Sequence, residues 1–152
     1  MPISQQKLRR LLKIYPPYLG AGIRVDYISE DWRELQVSMK LRWYNRNAVG
    51  THFGGSLYAM VDPHLMLMLL QILGKDYLVW DQSASITYLK PGKGRVRAAI
   101  IISDEEIASI RAKTESGEKY LPEFCLEIVD DKDEKVAEVK KVIYIRKKAH
   151  VG

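Results

Sequence analysis

A pair of glycines and a carboxylate seven residues later are the residues of this chain best suited to chemistry. Gly54 and Gly55 follow a polar loop and open an apolar run that reaches Leu73, and Asp62 lies inside that run. Glycines at the start of a helix leave backbone N–H groups unpaired and allow a ligand to approach them closely. A carboxyl group within an apolar run is suited to proton transfer. Together these residues predict a site that acts on a polarised carbonyl group.

Both features also have a purely structural interpretation. The glycine pair can serve only to permit a tight turn or a close contact between helix and sheet. Because Asp62 precedes Pro63, it can equally cap a helix that begins at this proline. If the helix instead begins at Gly55, Pro63 cannot bond the carbonyl group of Ala59 and should kink the helix beside the acid. The spacing alone leaves the catalytic and capping roles of Asp62 open.

Other polar residues are candidates to assist such a site. His52 lies in the loop before the glycines, where it can help catalysis or simply form a hydrogen bond within the loop. Asp81 lies in an apolar and hydroxyl-rich strand, where it can orient a water molecule or mark a bend. Lys90, Lys93 and Arg95 flank a turn, where they can bind phosphate groups or form a solvated edge. The three histidines show no zinc-ligand spacing, so no metal site is predicted.

The composition is ordinary for a soluble globular protein of one domain. Of the 152 residues, 47% are hydrophobic and 28% are charged, and the net charge of +5 suits an anionic ligand but is too small to indicate a nucleic-acid-binding protein. Cys125 is the only cysteine; we expect it to be buried and inert, and we expect a reducing cytoplasm. No signal peptide is predicted. Asp62-Pro63-His64 interrupts the apolar stretch and leaves only Leu65–Leu73 as a strongly apolar run, which is too short to cross a bilayer.

Hydrophobic periodicity predicts the elements that hold the site. Leu8, Leu11 and Leu12 follow a helical spacing that two prolines then end, so residues 1–19 should form an N-terminal helix and a linker. Apolar and polar residues alternate strictly from 34 to 43, which predicts a strand with one solvated face. The remaining predicted elements are a strand over 23–28, a long apolar helix over 55–73, strands over 77–89 (bent near 81–82), 95–102, 124–129 and 136–146, and a short helix over 104–113.

This order of elements predicts an α+β fold that forms one domain over residues 1–152. The economical packing is an antiparallel sheet that curls around the long central helix. Because that helix has few polar positions, it must be covered on nearly every side, so a second subunit is expected. Residues 147–152 are expected to form a loose tail.

The loop and helix start resemble the hotdog-fold thioesterases, in the branch similar to phenylacetyl-CoA thioesterase. That branch carries Asn-x-x-Gly-Thr-x-His-Gly-Gly, followed by Asp or Glu seven residues after the second glycine. The resemblance covers roughly residues 20–146, and the chain is also similar to a bacterial group of hotdog proteins without known function that share Gly-Thr-x-Phe-Gly-Gly-Ser-Leu. The matching positions here are Asn47, Gly50, Thr51, Phe53, Gly54, Gly55 and Asp62, with the strand end Ile86–Pro91.

The resemblance implies hydrolysis of an acyl-CoA or related acyl thioester. Asp62 would activate water or attack the thioester, the Gly55 amide would bind the oxyanion, and Asn47 would hold the substrate carbonyl or the water. Phe53 departs from the pattern because it replaces the usual histidine, while His52 stands one position earlier. A non-catalytic protein that binds acyl-CoA is therefore the alternative function.

The resemblance also implies sites between subunits of a homodimer or homotetramer. Asp81 falls where some relatives use Ser or Thr to position water, so an acid there is a second departure. CoA would be part of the substrate, no separate cofactor is expected, and neither is a nucleic-acid partner. The residues expected to contact substrate are Thr51, Phe53, Gly54, Tyr58, Lys90, Lys93 and Arg95.

Overall fold

An antiparallel sheet that wraps around an apolar helical segment is the main feature of the computed structural model, which describes residues 2–149. The strands follow the period of two in the sequence: Leu35, Val37 and Met39 are buried, whereas Gln36 and Lys40 on the opposite face are exposed. The strands are β1 (Ile23–Ile28), β2 (Glu34–Lys40), β3 (Tyr77–Tyr88), β4 (Arg95–Ile101), β5 (Lys119–Tyr120), β6 (Glu123–Asp130) and β7 (Lys135–Lys147).

The strand order in the sheet is β1-β2-β4-β6-β7-β3, and the two-residue β5 also pairs with β7. All of these pairs are antiparallel. The predicted bend in β3 is confirmed, because its register against β7 shifts between Asp81 and Ser83. β3 lies at one edge of the sheet, so one side of this 12-residue strand has no neighbouring strand within residues 2–149.

The central helical segment consists of two helices and not of the single long helix predicted. Residues 60–63 form turns between them, because Pro63 has no N–H group to continue the helical hydrogen bonds. The second helix begins at His64, and no side chain caps its start, so Asp62 is not a helix cap. The helices are α1 (Gln5–Ile14), α2 (Pro16–Ala21), α3 (Gly54–Ala59), α4 (His64–Leu73) and α5 (Asp104–Thr114).

The N-terminal region contains one more helix than predicted. α1 buries Leu8 and Leu12 against the sheet, but Leu11 is 47% exposed and is not part of the buried face. The expected linker is α2, which starts with Pro16 at its first position. Proline fits the first turn of a helix, since its missing N–H would have no partner there. The prolines therefore end one helix and begin the next.

The 54–73 segment is the one helical stretch in the described part of the chain that is long and apolar enough to span a membrane. However, 44% of its most apolar window is buried in the protein, and Val61, Leu65 and Met68 are fully inaccessible. These side chains pack into the same core as the inward faces of the strands. The segment is therefore the core helical layer of the fold.

Two smaller predictions need correction. Cys125 is exposed, because the neighbouring Phe124 and Leu126 are the β6 residues that face the core. Partial desolvation and the nearby Glu138 carboxylate raise the pKa of its thiol. At the C-terminus β7 continues to Lys147, inside the predicted loose tail, while residues 150–152 of that tail lie outside the described residues.

Candidate functional site

Most of the residues predicted to form the site lie in two places in the structure. The first place is a cavity of about 540 Å³ beside the loop that precedes α3, here called the loop pocket. The second is a group of charged and hydroxyl-bearing side chains around Asp62, here called the acid–lysine cluster. The loop pocket is lined by Asn47, Thr51, His52, Phe53, Gly54, Gly55, Leu57 and residues 88–92.

Asn47 uses its side chain to shape the loop. Its Oδ1 accepts hydrogen bonds from the Val49 and Thr51 N–H groups at 3.1 and 3.0 Å. Its Nδ2 donates to Thr51 Oγ1 at 3.0 Å and to the His52 carbonyl oxygen at 3.3 Å. Because both ends of the amide are engaged within the loop, Asn47 positions the backbone that leads into α3.

The glycine pair places two free amides at the start of α3. The first α3 amides with backbone partners are those of Ser56 and Leu57, which both donate to the Phe53 carbonyl oxygen. The N–H groups of Gly54 and Gly55 have no acceptor among residues 2–149. They are therefore available to a negatively polarised atom in the loop pocket.

Both glycines also lie close to aromatic side chains. A Cβ atom on Gly54 would lie 2.8 Å from the hydroxyl oxygen of Tyr88, and one on Gly55 would lie 2.7 Å from a ring carbon of Phe53. These contacts support the structural interpretation of the glycine pair, in which the glycines permit a close approach. Tyr88 belongs to the strand end that carried the resemblance but was not among the predicted site residues, and it lies at the pocket because it ends β3 opposite the start of α3.

The shift of histidine by one position changes which side chain is accessible at the pocket. His52 is only 3% exposed, and its Nε2 lies 2.8 Å from the carbonyl oxygen of Gly94. Burial lowers the pKa of His52, so its imidazole is neutral at pH 7. Phe53 is 58% exposed and its ring lies against Gly55. A phenyl group thus occupies the accessible position before the glycines.

The acid–lysine cluster joins four elements of the fold. Lys141 on β7 is fully buried, and its Nζ lies 2.8 Å from an Asp81 oxygen on β3 and 3.2 Å from Asp62 Oδ1. The same Nζ donates a hydrogen bond to the Asp62 carbonyl oxygen. Tyr58 on α3 donates its hydroxyl to Asp62 Oδ1 at 2.7 Å. Burial, followed by this hydrogen bond, raises the pKa of Tyr58.

Asp62 and Asp81 are less enclosed than Lys141. Their side chains are 41% and 29% exposed, so both acids lie at the boundary between the core and solvent. Asp62 was predicted to lie in apolar surroundings, but its immediate partners are an ammonium group and a phenol. A buried lysine between two acids fixes the position of both carboxylates.

Lys141 was missed in the sequence, although a signal was present. Val139, Lys141, Ile143 and Ile145 share one face of β7, and the three apolar residues are fully buried. A lysine at a core-facing strand position requires a charged partner. Its partners Asp81 and Asp62 could not be identified from the sequence, because they lie 60 and 79 residues earlier in the chain. The register of β3 against β7 brings Asp81 to Lys141, and the break before α4 brings Asp62 there.

Asp62 does not line the loop pocket of its own chain. Asp62 follows Gly55 by seven residues, and the helix is interrupted between them by the turns over residues 60–63. The structure thus places the acid and the free amides in two sites within one chain.

The predicted phosphate-binding residues do not share one cavity. Lys90 lines the loop pocket but forms ion pairs with Asp130 at 2.6 Å and with Glu134. The hydrogen bonds that the Lys90 ammonium donates to these two carboxylates raise the pKa of Lys90. Arg95 forms an ion pair with Asp26 at 3.4 Å and lines a different cleft. Lys93 is exposed between them.

Several solved structures have the same arrangement of sheet and helices. A protein of unknown function from Pseudomonas aeruginosa, described as a probable thioesterase, is 18% identical, with a TM-score of 0.82 over 97% of this chain and 98% of that chain. A thioesterase from Haemophilus influenzae is 13% identical, with a TM-score of 0.69 over 100% and 97%. The PaaI protein from the phenylacetic acid degradation operon of E. coli is 14% identical, with a TM-score of 0.60 over 95% and 92%. These similarities confirm the predicted hotdog fold.

A family model described as a domain of unknown function, DUF4442, matches residues 5–145. The chain therefore belongs to the DUF4442 family. No curated protein matches the sequence.

Proposed function

We propose that this DUF4442 protein hydrolyses acyl thioesters, with acyl-CoA as the leading substrate class. The observation that carries the proposal is the acid–lysine cluster, in which a partly exposed Asp62 carboxylate is held by Tyr58 and by the fully buried Lys141. A charged group buried in a hydrophobic core costs stability, so its retention beside an accessible acid favours a catalytic role. The similarity to structures described as thioesterases supports the same reaction.

In the proposed reaction Asp62 acts as the general base. A water molecule attacks the carbonyl carbon of the thioester while Asp62 accepts one of its protons. The tetrahedral intermediate then collapses, the carbon–sulfur bond breaks, and the thiolate takes up the proton. The products are a carboxylic acid and a thiol. Direct attack by the Asp62 carboxylate, followed by hydrolysis of the resulting anhydride by water, is the second route to the same products.

The Gly55 amide is the proposed oxyanion donor. Its N–H group is free at the start of α3, where the helix dipole also favours negative charge. Because Asp62 lies outside the loop pocket of its own chain, we propose that a second copy of the chain supplies the pocket that faces each Asp62. The edge strand β3 carries Asp81 and has an unpaired side, which supports a dimer that joins two sheets along β3.

A reducing, cytoplasmic location is part of this proposal. It rests on Cys125, the only cysteine of the chain. The substrate thiol is either CoA or the phosphopantetheine of a carrier protein. Lys93 is an exposed basic residue next to the loop-pocket residue Gly92, and it has no ion pair among residues 2–149.

The test is a thiol-release assay over acyl-CoA substrates of increasing chain length and with an aromatic acyl group. Asp62→Asn should abolish turnover and preserve the fold, since an asparagine oxygen can still accept the Tyr58 hydrogen bond. Asp131→Asn, in the exposed turn between β6 and β7, removes the same charge outside the acid–lysine cluster, so it is the matched control and should retain full activity. Unchanged turnover in Asp62→Asn would remove this acid from the mechanism.

Non-catalytic binding of acyl-CoA is the second candidate function. The exposed Phe53 ring at the loop pocket and the buried His52 favour it, because a phenyl ring has no N–H or O–H group to donate and the Nε2 of His52 faces the carbonyl oxygen of Gly94. In this case the same substrates would bind saturably in calorimetry with no release of thiol by the wild-type protein. Release of thiol by the wild type would exclude it.

A further inference from the structure

A second cavity, here called the basic cleft, lies between α2, the ends of β1 and β2, and the turn after β2. Its volume is about 600 Å³, within the range of about 300 to 1,000 Å³ that is usual for ligand sites. None of the residues proposed for thioester chemistry lines it except Arg95, which was expected to bind phosphate. The charged residues that line it are Lys13, Arg24, Lys40, Arg42, Arg95 and Asp26.

The basic cleft carries more positive charge than its acidic residues neutralise. Lys40 and Arg95 are direct cross-strand partners of β2 and β4, an arrangement of like charges that destabilises a sheet. Arg24 on β1 is the cross-strand partner of Ser38, which lies two residues before Lys40 on β2. Asp26 is the single acid in the cleft, and it pairs with Arg95 at 3.4 Å. The other four cations form no ion pair with any residue among 2–149.

The walls of the basic cleft are held in place by the chain itself. The Asn45 side chain donates hydrogen bonds to the carbonyl oxygens of Ala21 and Lys40, both at 2.9 Å, and so ties the turn to the end of α2. Gly22 makes a close approach there, since a Cβ atom on it would lie 3.1 Å from the hydroxyl oxygen of Tyr44. A site formed before binding loses little conformational entropy when a ligand arrives.

Apolar and aromatic surface adjoins the cations. Leu19 is 65% exposed and Tyr44 is 44% exposed, and both line the cleft. Trp43 is 81% exposed and packs edge-on against the Tyr44 ring, with the ring centres 5.5 Å apart. Such surface suits a ligand that carries an apolar or aromatic part beside its anionic group.

We propose that the basic cleft is a binding site for a phosphate-bearing ligand, separate from the thioester site and independent of its chemistry. Arg24, Lys40 and Arg42 hold the phosphate groups through charge-assisted hydrogen bonds. Tyr44 and Leu19 contact the remainder of the molecule. The same chemistry is presented by a soluble phosphate ester and by the head groups of an anionic phospholipid surface.

The experiment measures both sources with the full-length protein. Inorganic pyrophosphate is titrated by calorimetry at low ionic strength, and sedimentation is measured with vesicles of phosphatidylcholine alone or mixed with phosphatidylglycerol. The variant Arg24→Glu/Arg42→Glu reverses two exposed cations of the cleft. The control Lys75→Glu/Lys132→Glu reverses two exposed lysines outside the cleft and alters the net charge by the same amount. Arg24→Lys/Arg42→Lys keeps the charge.

Wild-type protein and the control should bind at least one probe, and Arg24→Glu/Arg42→Glu should weaken that binding by at least about tenfold. Binding of pyrophosphate identifies a soluble ligand, whereas sedimentation only with phosphatidylglycerol identifies a lipid surface. Each result supports the site. The lysine variant should retain most of the affinity. Absence of binding to both probes, or equal weakening in the Glu variant and the control, would overturn the proposal. None of these binding results depends on thioesterase activity.

Discussion

His64 is a histidine held neutral inside the core, and its protonation is expected to destabilise the fold as the pH falls. Its side chain is fully inaccessible, and its Nε2 lies 2.7 Å from the hydroxyl oxygen of Tyr18. Burial lowers the pKa of His64 to about 4, and the Lys141 ammonium adds to this effect while the Met60 carbonyl and Asp62 oppose it. In an unfolded chain the pKa of histidine is about 6.5.

The direction of the pH effect follows from these two pKa values. Between about pH 6.5 and pH 4, the unfolded chain binds a proton that the folded protein does not bind at His64. The free energy of unfolding therefore decreases as the pH falls through this window, and His64 causes no further loss below it. One pKa unit corresponds to about 1.4 kcal/mol, so the loss between pH 7.5 and pH 5 should be about 2 kcal/mol.

The assay is urea denaturation followed by tryptophan fluorescence at pH 7.5 and pH 5. The comparison is with Tyr18→Phe/His64→Leu, which removes both partners of the buried hydrogen bond and leaves neither of them unpaired. Between pH 7.5 and pH 5, the free energy of unfolding of the wild type should decrease by about 2 kcal/mol more than that of this variant. His52, whose pKa is also lowered by burial, is present in both proteins and cancels in the difference. Equal losses in both proteins would refute the assignment to His64.

Two further predictions concern the site. Lys141→Met should change the free energy of unfolding by only about 1 kcal/mol, because Asp62 and Asp81 remain partly hydrated. It should nevertheless reduce turnover about a hundredfold, because Asp62 is no longer held in position. Denaturation and thiol-release assays measure the two effects, and full activity would show that Lys141 does not position the acid. Gly55→Ala should displace the Phe53 ring into the loop pocket and raise KM with little loss of stability. Gly20→Ala, whose Cβ meets nothing within 4 Å, is its control.

Much of the fold could be predicted because its elements carry strong local patterns. The alternation in β2 predicted a strand with one solvated face. The polar interruption at Asp81 predicted a bend in the long strand β3. The same alternation would have placed Cys125 outside the core, because its neighbours Phe124 and Leu126 in β6 face inward. α2 was missed because a proline pair was interpreted only as the end of a helix and not also as the start of one.

The candidate site could be predicted only in part. The glycine pair and Asp62 were identified by residue type and spacing, and the loop pocket and acid–lysine cluster contain them. The sequence could not separate a capping acid from one held by a lysine, because the deciding contact joins residues 79 positions apart. It also could not show that Lys90 and Arg95, five residues apart, line different cavities.

The amino-acid sequence by itself determined most of the strands and helices, which of their faces are apolar, and where the backbone is free of side chains at Gly54 and Gly55. These properties depend on neighbouring residues and on the period of each element. Only the tertiary structure decided that Lys141 lies between Asp62 and Asp81, and that Asp62 lies apart from the glycine amides of its own chain. The physical reason is that strand register and the break at Pro63 set the distances between charges, and no local pattern encodes those distances.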